Sequence, residues 1–419
     1  MQRGDSAMKD LIAELQAMEA PYTVDKFISS GSYGAVCAGL DVLSQTPVAI
    51  KRVFSTVSDG RQVNILSDAF LAKRVLREVK LLCHFDHPNI LGLRDVLLFD
   101  TIPQQLAEGI KEPTKKPKLY LVTELMRTDL SQVISDSRMS ITAEHIRYFM
   151  YHTLLGLKAL HDAGVVHRDL HPGNILLSTE NDVKICDFNL AREDTQDDSK
   201  THYVTHRWYR APELVMQFKG FTKAVDLWSA GCIMGELYNR KALFRGSTFY
   251  NQLNKIVEIV GTPQQEEVAS FASTSAREYL NVSLSNIPSR SWQSVIPTAD
   301  PVALDLLSKL LCFNPSKRIT AEAALQHPYF AELFDADDLT EYPTHAFHFD
   351  ETVDNVKRMQ ELLLEDAVRF NALRAERISK STSKEGSPTS LGQTRGELFG
   401  EGGGGHVPRT GSFLSLDTE

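Results

Sequence analysis

His167-Arg168-Asp169-Leu170-His171-Pro172-Gly173-Asn174 places an acid and an amide five residues apart on one short loop. In the pattern H-R-D-x-x-x-x-N the acid can accept a hydroxyl proton, and the amide can hold a metal bound to phosphate. Strand-like runs bracket the loop, Val165-Val166 before it and Ile175-Leu176-Leu177 after it. A third apolar run leads into Asp187-Phe188-Asn189, so a second carboxylate converges on the same place. Any polar turn after a helix can show H-R-D by coincidence. The pattern gains weight from further parts found in order on either side of it.

The chain has 419 residues, enough for two or three domains or for one two-lobed enzyme with tails. Hydrophobic residues make up 42% and charged residues 24%, as in a soluble globular protein. With 45 basic against 54 acidic residues the net charge is −9, which argues against a general nucleic-acid or anionic-membrane binder. Any phosphate binding must therefore be local. Five cysteines without a repeating spacing argue against a disulfide framework and for a reducing compartment. There is no apolar stretch of about 18 residues, and the start lacks the basic-then-apolar pattern of a secretory signal. The expected location is cytoplasmic, with the nucleus also open to it.

Apolar residues at Met8, Leu11, Ile12, Leu15 and Met18 form a helical stripe that ends at Pro21 and is expected to pack on the body. A β-rich region follows to Met126, interrupted by a charged helix from Asp68 to Cys83. Its connections Phe54 to Ser67 and Asp100 to Pro117 are long and read as partner surfaces or mobile insertions. Beyond Met126 the pattern turns helical. Thr142 can cap a helix with Ile146, Phe149, Met150, Leu154, Leu157 and Leu160 on its stripe, stopped by Gly164. Further helical patterns cover Lys223 to Asn239, Asn251 to Val260 and Ala303 to Leu311. Near the end Val353, Val356, Met359, Leu362, Leu363, Phe370 and Leu373 keep helical spacing, read as a packing helix or, more sharply, a regulatory one. From Ser379 the Ser, Thr and Gly content predicts disorder. The expected divisions are 1–20, 21–126, 127–335 with an insert at 246–292, 336–378, and a disordered tail at 379–419.

Ile28-Ser29-Ser30-Gly31-Ser32-Tyr33-Gly34-Ala35-Val36 sits at the first β-turn, where backbone N–H groups could cover phosphates, although a plain hairpin explains it as well. Downstream comes Val48-Ala49-Ile50-Lys51, a strand ending in lysine. Lys51 by itself is explained by a snorkelling strand lysine. The charged helix nevertheless offers Glu78 as an ion-pair partner.

The order of glycine loop, V-A-I-K, helix Glu, H-R-D, D-F-x, Ala211-Pro212-Glu213 and Asp226-x-Trp228-Ser229-x-Gly231 resembles the eukaryotic protein kinases over about residues 21 to 335. The resemblance implies an α+β bilobal fold, with a small β-rich N-lobe and a large, mostly α C-lobe. It implies ATP and Mg²⁺ as cofactors. Lys51 would hold the α- and β-phosphates and pair with Glu78, Asn174 and Asp187 would bind metal, and Asp169 would deprotonate the acceptor hydroxyl, with Arg168 and His171 beside it. Glu213 would pair with Arg318. Ile28, Gly31 and Gly34 belong to the phosphate-covering loop. Val36, Ala49 and Leu177 would sandwich the base, Thr123 matches the gatekeeper, Glu124 and Met126 the adenine contacts, and Asp129 the ribose acceptor. Cys186, just before the metal-binding Asp, reads as a plain buried thiol or as one that an electrophile at the ATP site could reach.

Thr201-His202-Tyr203, in register with Trp208-Tyr209-Arg210-Ala211-Pro212-Glu213, is similar to the activation loop of mitogen-activated protein kinases, as are the insert from Gly246 to Trp292 and Asp335-Ala336-Asp337-Asp338. Phosphorylation of Thr201 and Tyr203 would add about −3 to −4 of charge. The resemblance assigns Arg74, Arg77, Arg168 and Arg192 to a phosphothreonine clamp and Arg207 and Arg210 to the phosphotyrosine pocket. It assigns Asp335, Asp337 and Asp338 to docking of basic peptides, against the plainer reading of a solvated turn. Implied partners are an upstream dual-specificity kinase, protein substrates with basic docking motifs, and phosphatases; a monomer is expected, with no nucleic acid and no membrane.

Five positions depart from the pattern. Ser29 replaces the first loop glycine, and Asn189 replaces the glycine after the metal motif, where Asn is the residue next best able to turn left-handed. His171 stands where the family has lysine and His206 where it has threonine. Those two groups touch each other and the catalytic Asp in kinases, so an imidazole with an ordinary pKa of about 6.5 could place phosphate stabilisation under pH control; neutral replacement is the alternative. Thr205 and His206 also alter the loop that would read a proline after the acceptor. The pair resembles divergent protozoan members of the family.

Overall fold

The computed structural model describes residues 2–31, 34–56, 62–99, 118–193, 206–216, 222–340, 342 and 345–382. Thr201, Tyr203 and Thr205, the long connection from Asp100 to Pro117, and the tail beyond Thr382 lie outside them. The chain divides into two compact units. One comprises the residues up to Asp86, Leu91–Met126 and the segment from Asp350; the other comprises His87–Ile90 and Arg127–Phe349.

The first unit is built on a five-stranded antiparallel sheet of β1 (Tyr22–Gly31), β2 (Gly34–Asp41), β3 (Thr46–Val53), β4 (Leu93–Phe99) and β5 (Lys118–Glu124), in the order β1-β2-β3-β5-β4. Because side chains alternate along a strand, register sorts them onto two faces. Cys37, Val48, Ile50, Tyr120 and Val122 are buried with Leu11 and Leu15 of helix α1 (Gln2–Ala17). The stripe expected to pack on the body thus does so, against this sheet. Val36 pairs with Lys51, Lys51 with Leu121, and Ala49 with Thr123, which puts them on the opposite face.

Helix α2 (Ala69–His84) begins at Asp68, whose carboxylate caps it by accepting the Leu71 N–H at 2.9 Å. The last described helix of this unit, α8 (Val356–Thr382), packs on α2 and β4. Its buried residues Met359, Leu363, Ala367 and Phe370 follow helical spacing, so the apolar stripe read from the sequence is a packing stripe. The helix runs four residues beyond the division expected at 378. Two buried acids bind it further: Asp366 pairs with Lys80 of α2, and Asp95 pairs with Arg374. Asp95 also accepts the Tyr22 hydroxyl at 2.7 Å.

The second unit is mostly helical: α3 (Leu130–Ser135), α4 (Ala143–Asp162), α5 (Ala224–Asn239), α6 (Phe249–Val260) and α7 (Pro301–Leu310) are joined by loops and further helical segments, among them Thr274–Ser283. Thr142 caps α4, and the stripe expected on it is buried. The strands are short: β6 (Thr128–Asp129), β8 (Ile175–Leu177) and β9 (Val183–Ile185) form one sheet in the order β9-β8-β6, while β7 (Val165–Val166) pairs with β10 (Arg192–Glu193). The runs that bracket the quoted loop are therefore β7 and β8. Glu213 and Arg318 form a buried pair with two N–H···O contacts, at 2.7 and 3.0 Å, as the family pattern implies. An α+β fold with a small β-rich part and a large helical part results.

Candidate active site

The loop from His167 to Asn174 hangs from one carboxylate. Asp226, fully buried near the start of α5, accepts three hydrogen bonds at 2.9 Å: from His161 Nε2 and from the backbone N–H groups of His167 and Arg168. Burial alone would raise its pKa, but the hydrogen bond and charge of His161 outweigh this and hold it below the ordinary carboxylate value. His167 extends the network, its Nε2 donating to the Cys186 carbonyl at 3.0 Å and its Nδ1 accepting the Asp169 N–H at 3.3 Å. The sequence supplied Asp226 only as part of a motif. Its role as anchor, and that of His161, depends on a contact across more than fifty residues that no local spacing announces.

Fixing the loop this way forces Arg168 to φ 70°, and Asp187 stands at φ 65°, both in the left-handed region that non-glycine residues seldom adopt. The expectation for Asn189 changes here. The left-handed turn falls on Asp187, while Asn189 turns its amide to Asp187 Oδ1 at 2.6 Å. The substitution thus adds a side-chain partner to the carboxylate rather than a flexible joint.

Asp169 is mostly buried, its side chain 13% exposed. His206 donates its backbone N–H to Asp169 Oδ1 at 3.0 Å and holds its ring Nδ1 at 3.7 Å, an ion-pair separation rather than a hydrogen bond. Burial pushes the Asp169 carboxyl up; the contact with His206 and the charge of His171 more than offset it, so it sits below its ordinary value. The rings of His171 and His206 lie 3.8 Å apart between centroids. Their environments drive them in opposite directions. Burial, then His206, lowers His171 to about 4, whereas Asp169 raises His206. These shifts move His171 away from the switchable cation expected near neutral pH and its neighbour His206 toward the protonated form.

Asn174 donates its side-chain N–H to the Asp169 carbonyl at 3.0 Å, which fixes the amide on the same loop. Asn174 and Asp187 offer an amide oxygen and a carboxylate, a hard oxygen set that suits Mg²⁺ with its retained waters and phosphate ligands. In the first unit Lys51 Nζ meets Glu78 Oε1 at 2.7 Å. Gly34 is obligatory in the glycine loop, because an added Cβ would stand 2.5 Å from the Arg52 carbonyl oxygen. Gly31 pairs with it, and Ile28 is 45% exposed. Val36, Ala49 and Thr123 share the sheet face of Lys51. Glu124 accepts the Gly92 N–H through Oε1 at 2.7 Å, and Met126 is half-buried. In the second unit Leu177 is buried, and Asp129 caps α3 by accepting the Gln132 N–H at 2.9 Å.

The arginines are divided. In the first unit Arg74 lies 4.4 Å over the Phe70 ring, and Arg77 pairs with Glu351. Glu351 was not singled out in the sequence, where nothing links it to α2. In the second unit Arg168 and Arg210 line a cavity with Asp169, His206 and Tyr209. Arg192 donates to the Ala191 carbonyl at 2.8 Å, and Arg207 to the Ser247 carbonyl at 2.7 Å. Burial and the charge of Arg207 lower Arg210 to about 10. Asp335 and Asp337 are exposed, and Asp338 accepts the Tyr151 hydroxyl at 2.6 Å.

Residues 22–330 match the protein kinase domain family. Mitogen-activated protein kinase 5 of Oryza sativa subsp. indica is 41% identical over 345 residues, which cover 82% of this chain and 88% of that protein. Mitogen-activated protein kinase spm1 of Cytospora mali is 40% identical over 382 residues, covering 90% and 84%. Among solved structures, the MAP kinase LmaMPK10 from Leishmania major has a TM-score of 0.74 and 64% identity, over 88% of this chain and all of that one. A second structure of that kinase, solved as a complex, has a TM-score of 0.68 and 59% identity, over 86% of this chain and 98% of that one. A catalytic loop anchored on Asp226, a strand lysine paired with Glu78 and these relatives agree: the chain belongs to the mitogen-activated protein kinases, and it is an ATP-using protein serine/threonine kinase.

Proposed function

We propose that this kinase transfers the γ-phosphate of Mg·ATP to Ser or Thr followed by Pro in protein substrates, and that phosphorylation of Thr201 and Tyr203 by an upstream dual-specificity kinase switches it on. The observation that carries the reading is Asp169, a carboxylate kept ionised on a loop whose backbone is fixed by Asp226. A base so placed accepts the proton of an acceptor hydroxyl without having to reorganise. Lys51 would position the nucleotide phosphates, and Mg²⁺ held by Asn174 and Asp187 would neutralise charge on them. Asp335, Asp337 and Asp338 would receive basic docking segments of activators, substrates and phosphatases. Work in the cytoplasm and nucleus suits this role.

Phosphorylation of Thr201 and Tyr203 would supply dianions for the arginines of the clamp and pocket to hold. Phosphopeptide mass spectrometry of the activated protein, with transfer from radiolabelled ATP to a basic protein measured on the same sample, tests the proposal. Activity should rise with joint modification of Thr201 and Tyr203. Full activity without either modification would sink the switch. A scaffold with little turnover is the competing reading, resting on Ser29, His171, Asn189 and His206; absence of transfer from the doubly phosphorylated protein would favour it.

A further inference from the structure

We propose that Asp169, His171 and His206 form a binding site for one divalent transition-metal ion of the Zn²⁺ class, and that an ion held there silences the kinase by occupying the carboxylate that activates the acceptor. The silencing rests on the role given to Asp169 above; the site does not.

One ligand atom from each of the three side chains lies within 4.8 Å of the other two, and among the described residues this is the one grouping of three His, Cys, Asp or Glu side chains so arranged. Zinc bonds of about 2.0 to 2.2 Å hold tetrahedral ligand atoms roughly 3.4 Å apart. His206 Nδ1 and Asp169 Oδ1, at 3.7 Å, are almost there already. The His206 ring is 62% exposed and can swing to close the remainder. Asp169 is held by its anchored loop. Three protein ligands leave the fourth position to water, as in open zinc sites.

The donor set selects the ion. Two imidazoles and one carboxylate suit Zn²⁺ and its later first-row neighbours, whereas Mg²⁺ would find a single good oxygen. Arg168 and Arg210 line the adjoining cavity and repel any cation, so affinity must come from metal–nitrogen bonds rather than from charge. Binding has one local cost. His171 Nδ1 accepts the Gly173 N–H at 3.1 Å, and that bond is surrendered whichever ring nitrogen takes the metal. The lysine and threonine of the family pattern cannot form this site, which depends on both histidines being present.

The test uses the full chain without nucleotide, titrated with Co²⁺ as a spectroscopic stand-in and competed with Zn²⁺. We expect one Co²⁺ with the absorption of a four- or five-coordinate ion, no thiolate charge-transfer band, and displacement by Zn²⁺. His206→Thr and His171→Lys should each weaken binding about tenfold or more, the low end of what loss of even an outer partner costs a metal site. Equal binding by the double variant, or a thiolate band, overturns the site. In kinase assays with free Zn²⁺ buffered, inhibition should compete with protein substrate and persist at raised Mg·ATP; the double variant should lose this inhibition relative to its own uninhibited rate. Undiminished transfer in protein that binds Co²⁺ overturns the silencing. No transfer by the doubly phosphorylated protein before Zn²⁺ is added would fail the kinase reading instead, with Co²⁺ binding still deciding the site.

Discussion

The catalytic loop has an anchored side and a reactive side, and they are built on opposite rules. On the anchored side Asp226 is fully buried, and its hydrogen bonds reach His161 and two backbone amides. On the reactive side Asp169 faces two histidines, one half-buried with its pKa lowered, the other mostly exposed. The difference teaches where this chain could depart from its family. Because the backbone is fixed from beneath by groups that follow the pattern, the groups above it could change type without moving the acid.

The largest break of this comparison is on the reactive side. Asp169→Ala should lower kcat by about 10² to 10⁴, the contribution of a positioned acid–base group, and leave ATP affinity nearly unchanged in equilibrium nucleotide titration. Loss of nucleotide binding would mean that Asp169 is structural too and that the two sides are not separate.

Next is the anchor. Asp226→Ala leaves His161 Nε2 and the amides of His167 and Arg168 without their acceptor, a loss of about 3 to 5 kcal/mol for a broken buried charge network. A lower melting temperature and a large fall in turnover should appear together. Turnover lost at unchanged stability would show that Asp226 acts in chemistry rather than beneath it.

The smallest effect sharpens the comparison within the reactive side. The contact with His206 lowers the pKa of Asp169 and raises its own. Removing it by His206→Thr returns Asp169 upward, so the carboxylate takes up its proton earlier as pH falls. The acid limb of the kcat/KM profile should therefore move to higher pH, with the plateau little changed. A limb that stays in place would detach His206 from the working acid.

Most of the fold and the reactive side were legible in the sequence because they are written in short spans. Thr142 caps its helix at the expected residue, Val165-Val166 and Ile175-Leu177 are strands, and Lys51 meets Glu78. What was not legible depends on distance along the chain or on environment. No spacing reveals that Glu351 reaches Arg77, 274 residues away, or that Asp226 carries the loop. The same holds for the inequality of His171 and His206. Composition gives both the same ordinary pKa, and only their different burial and the nearness of Asp169 pull them apart.

Asp95 has a consequence for how the protein is made. It joins Tyr22, near the beginning of the chain, to Arg374, which lies 279 residues after it. The first unit is thus finished by a segment that leaves the ribosome long after the sheet it completes. At about 5 to 20 residues per second that wait is on the order of 15 to 55 s. Through it, the surfaces of α2 and β4 that α8 will cover stay open, and a buried carboxylate lacks its arginine. Newborn chains of this kinase should lean on chaperones during that interval, and a ribosome stalled before Asp350 should hold a first unit that proteases cut readily.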